Sequence, residues 1–180
     1  SRIRKELGLD ENDFVIAAVA RVDAMKDYPN FLSALEKVDG VTALAIGKGT
    51  ETLPVTRGLI VLGERDDIPD LLSAIDVLVS ASAFGEGFSN VIGEAMACQR
   101  AVIATNVGDA DRLVGSAGII VPPSSPVLLA EAIARLQNDE KLARSMGHLG
   151  RERIIAGYRI EKAVAAFQTV YGCSNKNEEC

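Results

Sequence analysis

Short apolar runs rich in β-branched residues alternate along the chain with longer segments of helical periodicity. This alternation is typical of parallel strands joined by crossover helices. We predict strands at 14–20, 41–46, 59–62, 76–80, 101–104 and 118–121. Predicted helices are 28–38, 68–75, 89–98, 126–137, 140–155 and 160–171. The expected fold class is α/β, a Rossmann-like parallel sheet of about six strands flanked by helices.

The chain has 180 residues, of which 48% are apolar, enough for one compact domain with its own core. We expect that domain to span residues 1–173, and the polar residues 174–180 to form a disordered tail. The longest apolar stretches, 74–82 and 113–122, are interrupted well short of the roughly 18 consecutive apolar residues of a membrane span. We therefore predict no membrane span, and no signal peptide either, because no apolar run follows the basic start.

A net charge of −6 argues against a nucleic-acid partner, because neutralising phosphates needs a basic face. Cys98, Cys173 and Cys180 match neither a metal-binding spacing nor a disulfide framework, so we expect a cytoplasmic location. The one histidine, His148, cannot by itself supply the three or four ligands of a zinc site. No metal site is expected.

Two cations follow the first predicted strand, Arg21 and Lys26. Ligands of open parallel sheets bind beyond the carboxyl ends of the strands. Arginine offers a planar fork of donors and lysine a flexible point charge, and together they suit a diphosphate. Without further evidence, two solvated cations in a surface loop would be the simpler interpretation.

A Gly-x-Gly pattern, Gly47-Lys48-Gly49, follows the second predicted strand and resembles the start of a dinucleotide-binding fingerprint. Thr52 stands at the third glycine position, and the segment 50–57 is too short for a crossover helix. An NAD-binding domain therefore stays an alternative rather than the main hypothesis.

The most informative segment runs from the fourth predicted strand into the helix 89–98. We expect Gly85 and Gly87 to adopt positive φ and to let a ligand approach the backbone. The free N–H groups of Phe88, Ser89 and Asn90 would lie at the positive end of the helix, which favours a phosphate.

Two carboxylates flank this predicted anion site, Glu86 in the turn and Glu94 within the helix. Carboxylates repel phosphate, so their natural partners are hydroxyl groups, such as those of a ribose and of a sugar ring. Taken singly, each could be an ordinary turn acid or a solvated helix residue, but the spacing, the glycines and the helix start together favour a site.

These motifs resemble the C-terminal, donor-nucleotide-binding domain of retaining glycosyltransferases of the GT-B fold, glycosyltransferase family 4 (glycosyl transferases group 1). The resemblance rests on Glu86-Gly87-Phe88 and, eight positions on, Glu94-Ala95-Met96-Ala97. Further matches follow in order along the chain: Arg21 with Lys26, Gly47-Lys48-Gly49, Leu62-Gly63, Asp76 and 104–108. The chain would then be one half of a GT-B fold.

The resemblance implies roles for individual residues. Arg21 and Lys26 would hold the donor diphosphate and stabilise the leaving nucleotide, and Glu86 would contact hydroxyls of the transferred sugar. Glu94 would bind the ribose hydroxyls. The remaining nucleotide-binding positions would be Gly47, the base-proximal loop Gly63-Glu64-Arg65, and the phosphate cradle Gly87, Phe88, Ser89 and Asn90. Neither a metal nor another cofactor would be needed.

The resemblance also implies a nucleotide sugar as donor, and a glycan or lipid-linked acceptor bound by an N-terminal domain that the sequence lacks. We expect the isolated domain to be inactive without that half, which could also attach the protein peripherally to the inner membrane. Ala20, Gln99-Arg100 and 109–111 depart from the family pattern and affect loop shapes. A noncatalytic nucleotide-binding domain and a sugar-nucleotide epimerase compete with this interpretation.

Overall fold

The computed structural model describes residues 2–171 of the chain. Its six strands are β1 Phe14–Val19, β2 Val41–Ile46, β3 Leu59–Gly63, β4 Val77–Ser80, β5 Ala101–Thr105 and β6 Gly118–Val121. Its helices are α1 Arg2–Glu6, α2 Tyr28–Leu35, α3 Ile68–Ala74, α4 Asn90–Ala97, α5 Ala110–Val114, α6 Pro126–Asn138, α7 Glu140–Gly157 and α8 Ile160–Tyr171. Short 3-10 turns lie at Thr50–Thr52 and Gly115–Ala117. The predicted tail 174–180 is outside the described residues.

All six strands form one parallel sheet in the order β3-β2-β1-β4-β5-β6. The predicted α/β class and the six-stranded parallel sheet are therefore confirmed. The four inner strands carry long runs of fully buried apolar residues, as expected for a sheet covered on both faces. The order reverses beside β1, whose neighbours are β2 and β4.

The core consists of two apolar layers, one on each face of the sheet. One layer packs α2 and α6 against the sheet, with Phe31 and Ile133 fully buried. The other includes α1, α3, α4 and α5, with Leu71 and Met96 fully buried. None of the helices among residues 2–171 is long and apolar enough to cross a bilayer.

The helical predictions need two corrections. The helix predicted at 28–38 ends at Leu35, because the chain tightens into a turn in which the Val38 N–H donates to the Leu35 carbonyl. Helices α1 and α5 were not predicted, and each has only five residues. In the segment 50–57, which is too short for a crossover helix, the chain makes only the turn Thr50–Thr52.

Candidate functional site

The carboxyl ends of β1 and β4 meet where the strand order of the sheet reverses. In open parallel sheets this point leaves a crevice above the strands, in which ligands bind. The loops that leave the two strands are joined directly, because the Ala83 N–H donates to the Met25 carbonyl at 2.8 Å. Half of the twelve residues of the predicted donor site lie on these two loops: Arg21, Lys26, Glu86, Gly87, Phe88 and Ser89.

Lys26, from the loop after β1, and Glu86, from the loop after β4, form an ion pair. Both side chains are largely shielded, with 21% of Lys26 and 11% of Glu86 exposed. The Ser82 hydroxyl donates to the same carboxylate oxygen, Oε1, at 2.6 Å. Within residues 2–171 the other oxygen of Glu86, Oε2, accepts no hydrogen bond.

Two opposing effects act on the pKa of Glu86. Burial raises the pKa, because the charged form loses hydration, but hydrogen bonds from Lys26 and Ser82 stabilise the carboxylate. The hydrogen bonds and the charge of Lys26 prevail, so the pKa of Glu86 lies below its ordinary value of 4.5. The carboxylate is therefore ionised at neutral pH and can only accept hydrogen bonds.

The Glu86 loop is held from behind by the chain that follows β5. The Thr105 hydroxyl donates to the Ser82 carbonyl at 2.6 Å in a buried position. Gly108 lies directly against the Glu86 carbonyl, since a Cβ at this position would be 2.0 Å from that oxygen. Gly108 also has a φ of +59°, so no other residue fits easily. The backbone around Glu86 is thus fixed on two sides.

Helix α4 begins at Asn90 with unpaired backbone donors. The side chain of its N-cap, Ser89, makes no capping hydrogen bond. Within residues 2–171 the N–H groups of Phe88, Ser89 and Asn90 donate no backbone hydrogen bond either. These donors and the positive end of the helix can accept an anion.

The two glycines before this helix differ in conformation. Gly85 has the predicted positive φ, +74°. The expectation was wrong for Gly87, whose φ is not positive and whose Cβ would meet no atom within 4 Å. Gly85 makes the sharp turn. Gly87 adopts no conformation that requires glycine, and the space beside its Cα is open.

A hollow of about 20 Å³ lies between β1 and β4 and is lined in part by Lys26, Ser82 and Ser89. It brings a cation, a hydroxyl and the start of α4 to one place. Val19 and Ala20 at the end of β1 also line it, together with Val79 and Ser80 of β4. A phosphate group placed over it would meet the ammonium and the helix start at the same time.

A second hollow, of about 310 Å³, shares Val19 and Ala20 with the first. Four of the predicted site residues line it, together with Lys48 and Ile68: Arg21, Gly47, Glu64 and Arg65. Six of the twelve predicted site residues therefore line two adjoining hollows along the carboxyl edge of β1, Lys26 and Ser89 the first and these four the second. The other six line neither hollow: Gly63, Glu86, Gly87, Phe88, Asn90 and Glu94. A ligand with a phosphate part and a flat ring could span both.

Gly47 lines the second hollow and is held by Gly63 through a backbone hydrogen bond. The Gly47 N–H donates to the Gly63 carbonyl at 2.7 Å, and the Gly63 N–H donates to the Thr50 hydroxyl at 3.2 Å. A Cβ at Gly47 would lie 2.3 Å from the Ala20 carbonyl, so only glycine allows β1 and β2 to end so close together.

The guanidinium of Arg65 is already engaged by two carboxylates. It donates to both oxygens of Asp67, at 2.8 and 2.7 Å, and to Glu6 at 3.3 Å. The hydrogen bond with Asp67 raises the pKa of Arg65 and lowers the pKa of Asp67. Arg65 thereby ties α1 to the loop after β3 and is not free to pair with a phosphate.

Arg21 and Glu94 are both exposed to solvent. The Arg21 side chain is 65% exposed and pairs with Asp23, which holds the pKa of Asp23 below 3.8. Glu94 is exposed on α4, and its side chain makes no hydrogen bond or ion pair with any residue in 2–171. Phe88 is half exposed, and its ring lies 5.5 Å from that of Tyr158.

Sequence reasoning missed three residues that organise this site, Asp23, Ser82 and Thr105. Ser82 and Thr105 are polar residues at or just after the end of a buried strand, a signal that could have singled them out. Asp23 lies between the two cations, and its proximity to both could have suggested an ion pair. The contact of Gly108 with Glu86 has no local sequence signal.

The dinucleotide alternative at Gly47-Lys48-Gly49 is not favoured by the local structure. A pyrophosphate bound in that manner needs the start of a helix directly after the glycines. Here the chain enters the 3-10 turn Thr50–Thr52 instead. The helix start that faces the crevice belongs to α4, after β4.

Comparison with known proteins gives a consistent result. A family model described as "Glycosyl transferases group 1" matches residues 13–139. N-acetyl-alpha-D-glucosaminyl L-malate synthase from Bacillus anthracis is 28% identical over 185 aligned residues, which cover 95% of this chain and 48% of that protein. The chain thus spans about half the length of this relative.

Solved structures show the same relationship. The structure of Anabaena Alr3699/HepE in complex with UDP-glucose has a TM-score of 0.82 and 27% identity, over 96% of this chain and 51% of that one. The C-terminal domain of a glycosyl transferase group 1 family protein (LpcC) from Francisella tularensis has a TM-score of 0.71 and 26% identity. It matches over 82% of this chain and 87% of its own. The GT-B, Rossmann-like architecture is confirmed.

Proposed function

The chain belongs to the glycosyl transferases group 1 family, and we propose that it is the donor-binding domain of a retaining glycosyltransferase. The enzyme would move a sugar from a nucleotide-diphosphate sugar to a glycan or lipid-linked acceptor. One observation carries the proposal: the Lys26–Glu86 pair adjoins the unpaired N–H groups at the start of α4, in the crevice of the sheet.

The diphosphate would lie over the first hollow. Lys26 and the N–H groups of Ser89 and Asn90 offer positive charge and hydrogen-bond donors there, and Arg21 adds a second cation at the margin. Breaking the bond from the sugar to the diphosphate leaves negative charge on the phosphate. Donors held in place before the reaction stabilise that charge with little reorganisation. Because these groups supply the positive charge, we propose that the reaction needs no metal and no further cofactor.

Glu86 would contact the transferred sugar. Its Oε1 is occupied by Lys26 and Ser82, while Oε2 accepts no hydrogen bond from residues 2–171. Because the carboxylate is ionised, Oε2 can accept hydrogen bonds from sugar hydroxyls. The same residue would thus position the sugar and keep Lys26 next to the diphosphate.

Glu94, exposed on α4, would accept the ribose hydroxyls, and the second hollow would hold the base between Gly63-Glu64-Arg65 and Gly47. The UDP and UDP-glucose named for the Anabaena structures support a uracil nucleotide as the first ligand to test. GDP is the second. The acceptor would bind to the other half of a two-domain enzyme in the cytoplasm.

Isothermal titration of the 180-residue chain with UDP, GDP and ADP tests the proposal. We expect saturable binding of at least one nucleotide, with a dissociation constant of about tens to hundreds of micromolar, because one domain supplies only part of the contacts. Glu94→Ala should weaken binding of that nucleotide.

The matched control is Glu131→Ala, which removes an exposed helical glutamate from α6, on the other face of the sheet. It should leave binding unchanged. If none of the three nucleotides binds saturably, or if Glu94→Ala and Glu131→Ala behave alike, the proposed donor site is wrong.

A further inference from the structure

We propose that Asp23 is a positioning residue for both cations of the donor site: one carboxylate oxygen holds the Arg21 side chain and the other holds the Lys26 backbone. This inference rests on the proposed function, since it assigns how that site is kept in shape. Asp23 lies between the two cations on the loop 20–27 that joins β1 to α2, and its side chain is only 29% exposed.

The Arg21 contact is made through Nε, which donates to Asp23 Oδ2. Neither terminal nitrogen of Arg21 donates a hydrogen bond to any residue in 2–171. A guanidinium is planar, so a partner on Nε fixes the plane and leaves the Nη1 and Nη2 donors pointing outward together. That pair of donors is the arrangement that binds phosphate oxygens.

The Lys26 contact is made through the backbone. The Lys26 N–H donates to Asp23 Oδ1 at 3.1 Å and lies 3.2 Å from the Asp23 carbonyl oxygen. Together these contacts close a tight turn immediately before α2. The Lys26 ammonium leaves this turn toward Glu86. Fixing the turn therefore fixes the point from which Lys26 reaches the crevice.

A carboxylate near a diphosphate could also weaken binding by repulsion. Asp23 is paired with Arg21, so the pair has no net charge, and salt screens exposed charges beyond roughly 8 Å at physiological ionic strength. The Arg21 side chain is 65% exposed. Without Asp23 as a partner, it would lose considerable rotamer freedom when a ligand binds. We therefore expect the orienting effect of Asp23 to exceed its repulsion.

The variant Asp23→Asn separates the two contacts. Its amide oxygen can still accept the Lys26 N–H, but the charge that holds Arg21 is lost. Titration with UDP should show binding weakened about three- to fivefold, which corresponds to the free energy that an exposed ion pair contributes. In an Arg21→Ala background, Asp23→Asn should have no further effect, because a positioning residue acts through its partner.

The control is Glu51→Gln, which removes the same charge from an exposed glutamate in the loop after β2. It should leave UDP binding within experimental error of the unchanged chain. A second measurement needs no ligand. In NMR spectra of the free chain, the Arg21 Nε–H signal should be shifted from that of an unpaired arginine and protected from exchange with solvent. Asp23→Asn should remove that protection, and Glu51→Gln should not.

The outcomes distinguish this inference from the proposed function. If Arg21→Ala weakens UDP binding but Asp23→Asn does not, or tightens it, the donor site stands and the positioning role of Asp23 is wrong. An unprotected Arg21 Nε–H in the unchanged chain also contradicts the role. If UDP, GDP and ADP all fail to bind, the proposed function fails, and the positioning role with it.

Discussion

The ammonium of Lys26 and the carboxylate of Glu86 join the loops after β1 and β4 across the point where the strand order reverses. The pKa of Glu86 lies below its ordinary value of 4.5. A group with a lowered pKa stabilises the fold fully above its unfolded-state pKa and loses that contribution as the pH falls through its folded-state pKa.

Glu86→Gln should therefore lower the free energy of unfolding at pH 7, and its difference from the unchanged chain should shrink as the pH falls below 4.5. Urea unfolding at a series of pH values measures this difference. Glu94→Gln is the control, because the Glu94 side chain is exposed and unpaired among the described residues. A Glu86→Gln effect that grows toward low pH would contradict the lowered pKa.

Gly108 and Gly87 both lie beside Glu86 but differ in the space around them, so alanine substitutions at the two positions can be compared. Gly108→Ala would place a Cβ 2.0 Å from the Glu86 carbonyl at a φ of +59°, whereas at Gly87 a Cβ meets nothing within 4 Å. We expect Gly108→Ala to destabilise the chain by about 1–3 kcal/mol and to weaken UDP binding, since the Glu86 loop must move. Gly87→Ala should change stability by less than about 1 kcal/mol. Urea unfolding and UDP titration of both variants test this.

The strands could be predicted almost to the residue because apolar β-branched runs mark them. The four inner strands are mostly buried, and the edge strands β3 and β6 carry similar runs although most of their residues are only partly buried. β2 and β6 have the predicted bounds, and β1 ends one residue early. Helix α1 could not be predicted, since Arg2–Glu6 has no apolar periodicity. It is held by contacts distant in sequence, such as the bonds of Arg4 to Ala74 and Asp76.

For the site, the sequence pattern placed candidate residues on the loops after β1 and β4, which do meet, but it could not show how their charges pair. Lys26 and Glu86 are 60 positions apart, and the sequence does not reveal that they touch. The loop Gly63-Glu64-Arg65 is expected near the base, but the sequence does not show that Asp67 and Glu6 occupy the Arg65 guanidinium. Pairing of this kind depends on side-chain directions that periodicity does not encode.

Arg4 is a buried cation at the amino end of the sheet, away from the proposed site. Its guanidinium donates to the Ala74 carbonyl at 2.8 Å and to the Asp76 carboxylate at 2.9 Å, and only 9% of the residue is exposed. Arg4→Met should lower the free energy of unfolding by about 2–4 kcal/mol, because these acceptors lose their donor. UDP affinity of the folded fraction should not change. The control is Arg2→Met, whose pair with Asp70 is exposed, and whose effect should stay below about 1 kcal/mol.

Phe88 and Tyr158 connect the loop before α4 to the end of α7. Their rings are 5.5 Å apart and tilted by 42°, and Phe88 also lies near Gly93 of α4. Tyr158→Ala should cost about 0.5–1.5 kcal/mol of stability beyond the loss of buried area and should weaken UDP binding. Tyr158→Phe keeps the ring and should restore both. A double-mutant cycle with Phe88→Ala measures the coupling, and a coupling of zero would exclude this connection.

A substitution of Lys26 distinguishes binding of the phosphates from binding of the base. If its ammonium binds the diphosphate, Lys26→Ala removes a charge-assisted hydrogen bond and leaves Glu86 unpaired beside the phosphates. We expect UDP binding to weaken about 10- to 100-fold, the equivalent of roughly 1.5–3 kcal/mol. Uridine binding should change little, because uridine carries no phosphate. The control Lys37→Ala removes an exposed lysine from the turn after α2 and should leave both ligands unaffected.

The double variant Lys26→Ala/Glu86→Gln distinguishes the two causes of that loss. Once Lys26 is absent, the Glu86 carboxylate only repels the diphosphate, so replacing it with a neutral amide should recover part of the UDP affinity. In the unchanged background, Glu86→Gln should not tighten binding, because the carboxylate there is compensated by Lys26 and Ser82. If Glu86→Gln raises UDP affinity only when Lys26 is absent, the pair acts as one unit. If Glu86→Gln changes UDP affinity equally in both backgrounds, it does not.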